Sequence, residues 1–281
     1  MRIVSLLPST TEILFALGAG DDVVGVTFEC DTPTEARNRT IVSTSTMPED
    51  LSPAAIDAWV SAAQQRGEDL YTLDAGALAG LDADLVVTQD LCAVCAVDVS
   101  VVDDALAHLG CTAEVLTIDP HALEEVLGSV HTLGKATGQE VAAEELVGGL
   151  RARLAAVGDR VAGRTRPRVA VLEWADPPYA PGHWIPEMVE AAGGENVLGT
   201  AGARSTRITW ETLHESRPEV VVVAPCGYDR EGAQEQADAL VAAGHLPAGV
   251  KVHAVDADGM WARPGPRLVD GVEELAGVLH P

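Results

Sequence analysis

The chain is short of lysine, of aromatic residues and of long apolar runs, and each shortage excludes something. Lys135 and Lys251 are the only lysines among 18 cationic side chains, set against 43 Asp and Glu for a formal net charge of −25. A surface of that sign repels phosphate, which argues against a nucleic-acid partner and for a solubilising acidic coat. Aromatic residues make up 4% of a chain that is 47% apolar, so cores built from Val, Leu and Ala are expected. No apolar run approaches the roughly 20 residues of a membrane-spanning helix, and no membrane insertion is expected. No charged stretch, apolar stretch and small-residue cleavage site precede the first candidate strand. The expected location on that reading is the cytoplasm, or the periplasm or cell exterior if the N-terminus is truncated. There is no G-x-S-x-G elbow and no Walker loop, so the chain is read as non-catalytic.

What is present begins at once. Residues 2–7 form an apolar run fit for a buried strand, Pro8 and Ser9 break it, and a helix is expected to open on Thr10 or Thr11 with Ile13, Leu14 and Leu17 on its apolar face. A strand, a polar turn and a helix N-terminus make a ligand mouth, because first-turn amides lack intrahelical partners. Further strands are expected at 23–27, around 40–43, 84–88 and 112–117, and further helices at 52–66, 75–81 and 98–109. That alternation implies a mostly parallel sheet.

From His121 to about Val161 the strand signal stops. Leucines and valines recur at helical spacing, with Gly134 and Gly138 as interruptions. One long helical segment is expected there, with a candidate break near Gly138. Alternation then resumes, with strands at 168–173, 219–224 and 251–255 and helices at 185–193, 209–216, 231–243 and 268–279. The expected fold is α/β: two lobes with mostly parallel sheets (1–120 and 165–281) joined by one long helix (121–164), with a ligand cleft between the lobes.

Several segments carry a family resemblance. The opening Arg2-Ile3-Val4-Ser5-Leu6-Leu7-Pro8-Ser9-Thr10-Thr11-Glu12-Ile13-Leu14 and the following Leu17-Gly18-Ala19-Gly20 to Thr27 resemble the vitamin B12 and iron-siderophore substrate-binding proteins of ABC importers. Leu81-Asp82-Ala83-Asp84-Leu85-Val86-Val87 looks like that family's strand entry, with Ala83 in place of the usual proline. Ser216-Arg217-Pro218-Glu219-Val220 repeats the pattern in the second lobe. Four more segments, Thr27 to Asp31, Thr88 to Ala96, Gly182 to Met188 and Arg263 to Arg267, resemble a subgroup described as cobalamin-binding. The resemblance implies a ligand of the cobalamin kind or a related metal chelate. It also implies permease docking through one surface carboxylate per lobe. Glu211 stands at that place in the second lobe, but Gly76 occupies it in the first, so permease docking is doubtful; nearby Asp74 reads as a helix cap.

In open α/β sheets ligands sit beyond the carboxyl ends of the strands. The candidate ligand-binding residues on those ends are Ser9, Thr10, Glu29 and Gln89 in the first lobe, and Trp174, Tyr179, His183, Trp184, Tyr228, Trp261 and Arg263 in the second. The rings suit a large flat corrin or porphyrin, His183 suits an axial ligand, and Arg263 suits an acidic or amide-bearing ligand edge. The leading reading is non-catalytic binding of cobalamin or a related metal-tetrapyrrole.

The five cysteines open a second reading. Cys92 and Cys95 form a C-x-x-C after a strand, and Cys30 with either His183 or Glu29 could complete a set suited to zinc, copper(I) or another thiophilic metal, as a metal-binding or metallo-enzyme site. Against this stands a plain packing role for the thiols. Cys111 reads as a small core residue. A third reading is an orthodox importer component.

Overall fold

The computed structural model describes residues 1–48, 50–89 and 112–281. The expected 98–109 helix and the segment holding Cys92, Cys95 and Cys111 lie outside the described residues. The chain divides into two compact units, Met1–Pro120 with Gly128–Val147, and His121–Leu127 with Gly148–Pro281.

The first unit is built on six strands: β1 (Ile3–Ser5), β2 (Val23–Thr27), β3 (Thr40–Ser45), β4 (Tyr71–Leu73), β5 (Leu85–Thr88) and β6 (Glu114–Thr117), in the order β4-β3-β2-β1-β5-β6. All pairings are parallel except β3 with β4. Central strands β1 and β5 are apolar up to Ser5 and Thr88 at their carboxyl ends and are buried throughout, as strands covered on both faces must be. Val4, Leu6, Val42, Leu78, Leu81 and Val86 form one of the apolar clusters of this unit. From β1 the chain first adds β2 and β3 on one side and then returns to add β5 on the other. The strand order therefore reverses at the β1/β5 boundary, where Ser5 registers with Val87.

Helix α1 (Pro8–Ala16) starts two residues before Thr10, because proline's missing N–H and fixed φ suit the first helical position. Helix α2 (Pro53–Arg66) repeats that device after the Ser52 cap and stops at Gly67 in the left-handed region, φ 67°. The short helix α3 (Ala75–Ala79) is capped by Asp74, whose Oδ1 accepts from the Ala77 N–H at 2.9 Å.

The expected long helical segment is present as two helices, α4 (Leu123–Thr137) and α5 (Glu140–Val161). Gly138 turns the chain between them with φ 69°. Gly134 permits the close approach that follows, since a Cβ there would lie 2.5 Å from the Ala143 Cβ.

The second unit has a parallel sheet in the order β10-β7-β12-β13, from β7 (Arg168–Leu172), β10 (Glu195–Asn196), β12 (Val220–Val223) and β13 (Lys251–Ala254). A separate three-stranded antiparallel sheet joins β8 (Trp174–Ala175), β9 (Pro178–Ala180) and β11 (Thr206–Arg207). Its helices are α6 (Ile185–Ala191), α7 (Trp210–Glu215), α8 (Arg230–Ala242) and α9 (Leu268–Leu279), with one wide turn at Asp258–Ala262. Leu172, Leu213, Val221, Val223, Ala233 and Ala237 are among the buried core of this unit. No helix among the described residues is long and apolar enough to cross a membrane.

Candidate functional site

In the first unit the carboxyl ends of β1, β2 and β5 collect buried hydroxyls. Ser5 Oγ lies 2.7 Å from Thr10 Oγ1, Thr11 Oγ1 donates to Ser5 Oγ at 2.8 Å, and both threonine hydroxyls contact the Leu7 carbonyl at 3.0–3.1 Å. Thr10 is wholly buried and Ser9 nearly so. The start of α1 therefore turns its hydroxyls back onto the strand it follows, so Thr10 is committed to structure and does not present its hydroxyl outward. Gln89 is also buried, at the end of β5, and Glu29 is half-buried in the turn after β2.

Cys30 closes the same turn. Its N–H donates to Thr27 O at 3.1 Å, and its Sγ lies 3.0 Å from Thr11 Oγ1. At 2% exposure it is a packing thiol inside the hydroxyl cluster. The thiol-metal reading gains nothing from this placement. No group of three or more His, Cys, Asp or Glu that could hold a metal ion occurs among the described residues, and Cys92 and Cys95 fall outside them.

The second unit builds a more open aromatic rim. The Trp174 and Tyr228 rings stand 5.8 Å apart with planes at 60°, and both are half-buried, as is Tyr179. Trp174 Nε1 donates to the Asp176 carbonyl at 3.0 Å, which fixes the indole on its hairpin. Burial pushes the Tyr228 phenol above its ordinary pKa, so it stays a neutral donor at physiological pH.

Glu173, one residue before that indole, was not singled out by sequence reasoning. Its Oε2 accepts from Gly182 N at 3.2 Å and from the Ser205 hydroxyl, tying the loop after β9 to the strap before β11. A carboxylate directly after an apolar strand was the available signal.

His183 sits in that loop with φ 50°. Its N–H donates to Ala203 O at 2.7 Å and its carbonyl accepts from Gly202 N at 2.9 Å. The ring is 5.9 Å from the His121 ring and 5.6 Å from that of Trp184. Its Nε2 is enclosed without a hydrogen-bond partner among the described residues. Burial first, then His121 and Arg204, lower its pKa below the usual histidine value, so the imidazole is held neutral.

Two of the expected ligand-facing rings lie inside the unit. Trp261 is fully buried and Trp184 is 5% exposed, with Trp184 Nε1 donating to Trp261 O at 2.8 Å. Both indoles are packing, and neither offers an open face. Arg263 is likewise committed: its Nε and Nη2 reach Asp258 at 3.1 and 2.6 Å across the wide turn, which neutralises the charge expected for a ligand edge. Asp270 pairs with Arg153. Cys226 is exposed beside Tyr228.

The arrangement sets two half-buried rings, Trp174 and Tyr228, beside each other beyond the ends of β7 and β12. The model of the family described as "Periplasmic binding protein" matches residues 3–255. The chain belongs to the periplasmic binding protein family. This family member is 28% identical over 300 residues to an uncharacterized ABC transporter substrate-binding lipoprotein, YvrC, of Bacillus subtilis strain 168, covering all of this chain and 80% of that protein. It is 27% identical over 293 residues to a protein named cobalamin-binding protein from Halobacterium salinarum, covering 99% of this chain and 69% of the other. Among solved structures, a periplasmic heme-binding protein from Pseudomonas aeruginosa superimposes with a TM-score of 0.75 at 20% identity, covering all of this chain and 92% of that one. At that identity the likeness shows the fold.

The two positions that the family resemblance marks for docking differ in kind. Glu211 is exposed in the first turn of α7, whose cap Thr209 accepts from Thr212 N at 3.1 Å. Gly76 is exposed in α3 and carries no side chain, while the nearby Asp74 carboxylate is used as the α3 cap.

Proposed function

We propose that this periplasmic binding protein family member holds a large metal-ring ligand of the cobalamin or heme class and does no chemistry on it. The Trp174–Tyr228 ring pair carries the reading: two half-buried aromatic rings 5.8 Å apart, beyond the ends of β7 and β12, with Tyr179 on the neighbouring strand β9. Aromatic faces suit a conjugated macrocycle through area burial plus roughly 0.5–1.5 kcal/mol of ring-ring preference per contact. The names of the Halobacterium salinarum relative, a cobalamin-binding protein, and of the Pseudomonas aeruginosa neighbour, a heme-binding protein, support the same ligand class. In the wider reading the protein delivers its cargo to an ABC permease. Glu211 would then supply a docking carboxylate from the second unit, and Gly76 supplies none from the first. A thiophilic metal as cargo or cofactor is not part of the proposal.

The test is a fluorescence titration of the purified chain with hydroxocobalamin and, separately, hemin. Saturable quenching by at least one of them is expected, with Trp174→Ala weakening it about tenfold, the equivalent of one ring contact at ~1.4 kcal/mol. Absence of saturable quenching by both ligands overturns the reading.

A further inference from the structure

Gly232 is the third residue of helix α8, where glycine is the least favourable choice after proline. Its backbone does not call for glycine, because its φ is not among the positive ones. The space around it does. A Cβ at position 232 would lie 2.8 Å from Cδ1 of the Tyr228 ring and 3.5 Å from the Tyr228 Cβ. The ring therefore rests against the bare backbone of the first turn of α8.

The backbone that carries the ring is anchored on both sides. The Tyr228 N–H donates to Pro225 O at 3.1 Å, and the Tyr228 carbonyl accepts from Asp258 N at 2.9 Å, which ties it to the wide turn. Asp229, the next residue, caps α8 by accepting from the Gly232 N–H at 2.9 Å. Two residues before Tyr228, the Cys226 N–H donates to Glu173 O at 3.1 Å, next to Trp174 in the chain. With its backbone held, the ring's remaining freedom is rotation of the side chain. Gly232 bounds that rotation at Cδ1, and the Trp174 ring stands 5.8 Å away with its plane at 60°. An ordinary carbon–carbon contact is about 3.5–4.0 Å, so a methyl group at 232 must displace the ring by roughly 0.7 Å or more. Every residue in this set belongs to the second unit.

We infer that Gly232 is a positioning residue that sets ligand selectivity: its missing side chain seats Tyr228, and the seated ring fixes the spacing and tilt of the Trp174–Tyr228 pair. The inference rests on the proposed function and goes past it, since it assigns the geometry of the ring pair to a residue with no side chain to offer a ligand. The same two rings above an alanine or a larger residue would meet a flat conjugated ligand in a different arrangement.

The test reads the ring pair without ligand by spectroscopy and with ligand by affinity. In protein carrying 5-fluorotryptophan, the fluorine resonance lost in Trp174→Phe identifies Trp174 among the five tryptophans. Gly232→Ala is expected to shift that resonance and to leave those of the buried Trp184 and Trp261 in place. It is also expected to weaken hydroxocobalamin or hemin, whichever the wild type holds, about three- to tenfold, the equivalent of one ring contact. Gly277→Ala in α9 is the control; nothing lies within 4 Å of its new Cβ, and neither reading should move. In a Tyr228→Ala background, Gly232→Ala should have no further effect on affinity, because the ring it displaces is gone. Should Gly232→Ala alone unfold α8, the double variant should regain the urea midpoint of Tyr228→Ala, which assigns the defect to the ring; failure to regain it overturns the seat. An unmoved Trp174 resonance, an unchanged affinity in Gly232→Ala, or an equal loss in the Tyr228→Ala background overturns the role of Gly232 and leaves the proposed function standing. Failure of the wild type to bind either ligand removes the proposed function, and the role of Gly232 in selectivity with it.

Discussion

Replacing Gly182 by alanine probes how the His183 loop is held. A Cβ at position 182 would fall 2.4 Å from Ser205 N, 2.5 Å from Ala203 O and 2.7 Å from the Arg204 carbonyl carbon. All three are backbone atoms, so no side chain can swing aside, and the strap at 203–205 must retreat by about 1 Å to restore an ordinary contact. That retreat strains the His183 N–H bond to Ala203 O and the Gly202 N–H bond to His183 O. Two hydrogen bonds at about 1 kcal/mol each, with about 1–2 kcal/mol of overpacking, give a loss of roughly 2–4 kcal/mol. Gly202→Ala is the matched control. Its φ of 73° makes alanine unfavourable, but nothing lies within 4 Å of the new Cβ, so only the conformational cost of about 1 kcal/mol applies. Urea unfolding followed by tryptophan fluorescence reports mainly on the second unit, which holds Trp174, Trp184, Trp210 and Trp261. Equal losses in the two variants, within about 0.5 kcal/mol, would refute the close-approach argument.

Three further outcomes follow from the same contacts. Glu274 is held at a pKa of about 2 by hydrogen bonds from His253 and Arg230. Its folded value lies below its unfolded one, so it stabilises above pH ~4.5 and that contribution is lost as the pH falls toward 2. With solvent screening of its pair with the half-exposed Arg230, Glu274→Gln should cost on the order of 1 kcal/mol at pH 7 and little near pH 2, measured by urea midpoints across that range. The His183 ring should titrate below pH 6.5 in an NMR experiment, and His121→Ala should move it only part of the way back, because burial is the larger cause; a value at or above the free-histidine range contradicts the enclosed ring. Cys30→Ala should lower stability by about 1–2 kcal/mol, read from urea midpoints, because the thiol packs inside the hydroxyl cluster.

The alternating elements were legible because their signals were redundant. Residues 2–7, 84–88 and 219–224 are apolar runs bounded by turn residues, and Pro53, Gly67 and Gly138 punctuate the helices where proline and glycine must. The strands that escaped notice are short: β4 has three residues, and β8, β9, β10 and β11 have two or three each, with Pro177 between β8 and β9. Such segments take their shape from the pairing, which no local pattern records. The candidate site was legible by place but not by orientation. Trp174 and Tyr228 follow the ends of β7 and β12 and are half-buried, whereas Trp184, at the start of α6, and Trp261, in the wide turn, face inward, because a loop position alone does not say which way a ring faces.

The account stands or falls on whether this chain holds a metal-ring ligand. Equilibrium dialysis of the purified protein against hydroxocobalamin and against hemin, with bound ligand counted by absorbance, measures that directly. Saturation at about one ligand per chain for at least one of the two, reduced about tenfold in affinity by Trp174→Ala, is the predicted result. Equal concentrations of each ligand on both sides of the membrane, at protein concentrations up to the millimolar range, would contradict it.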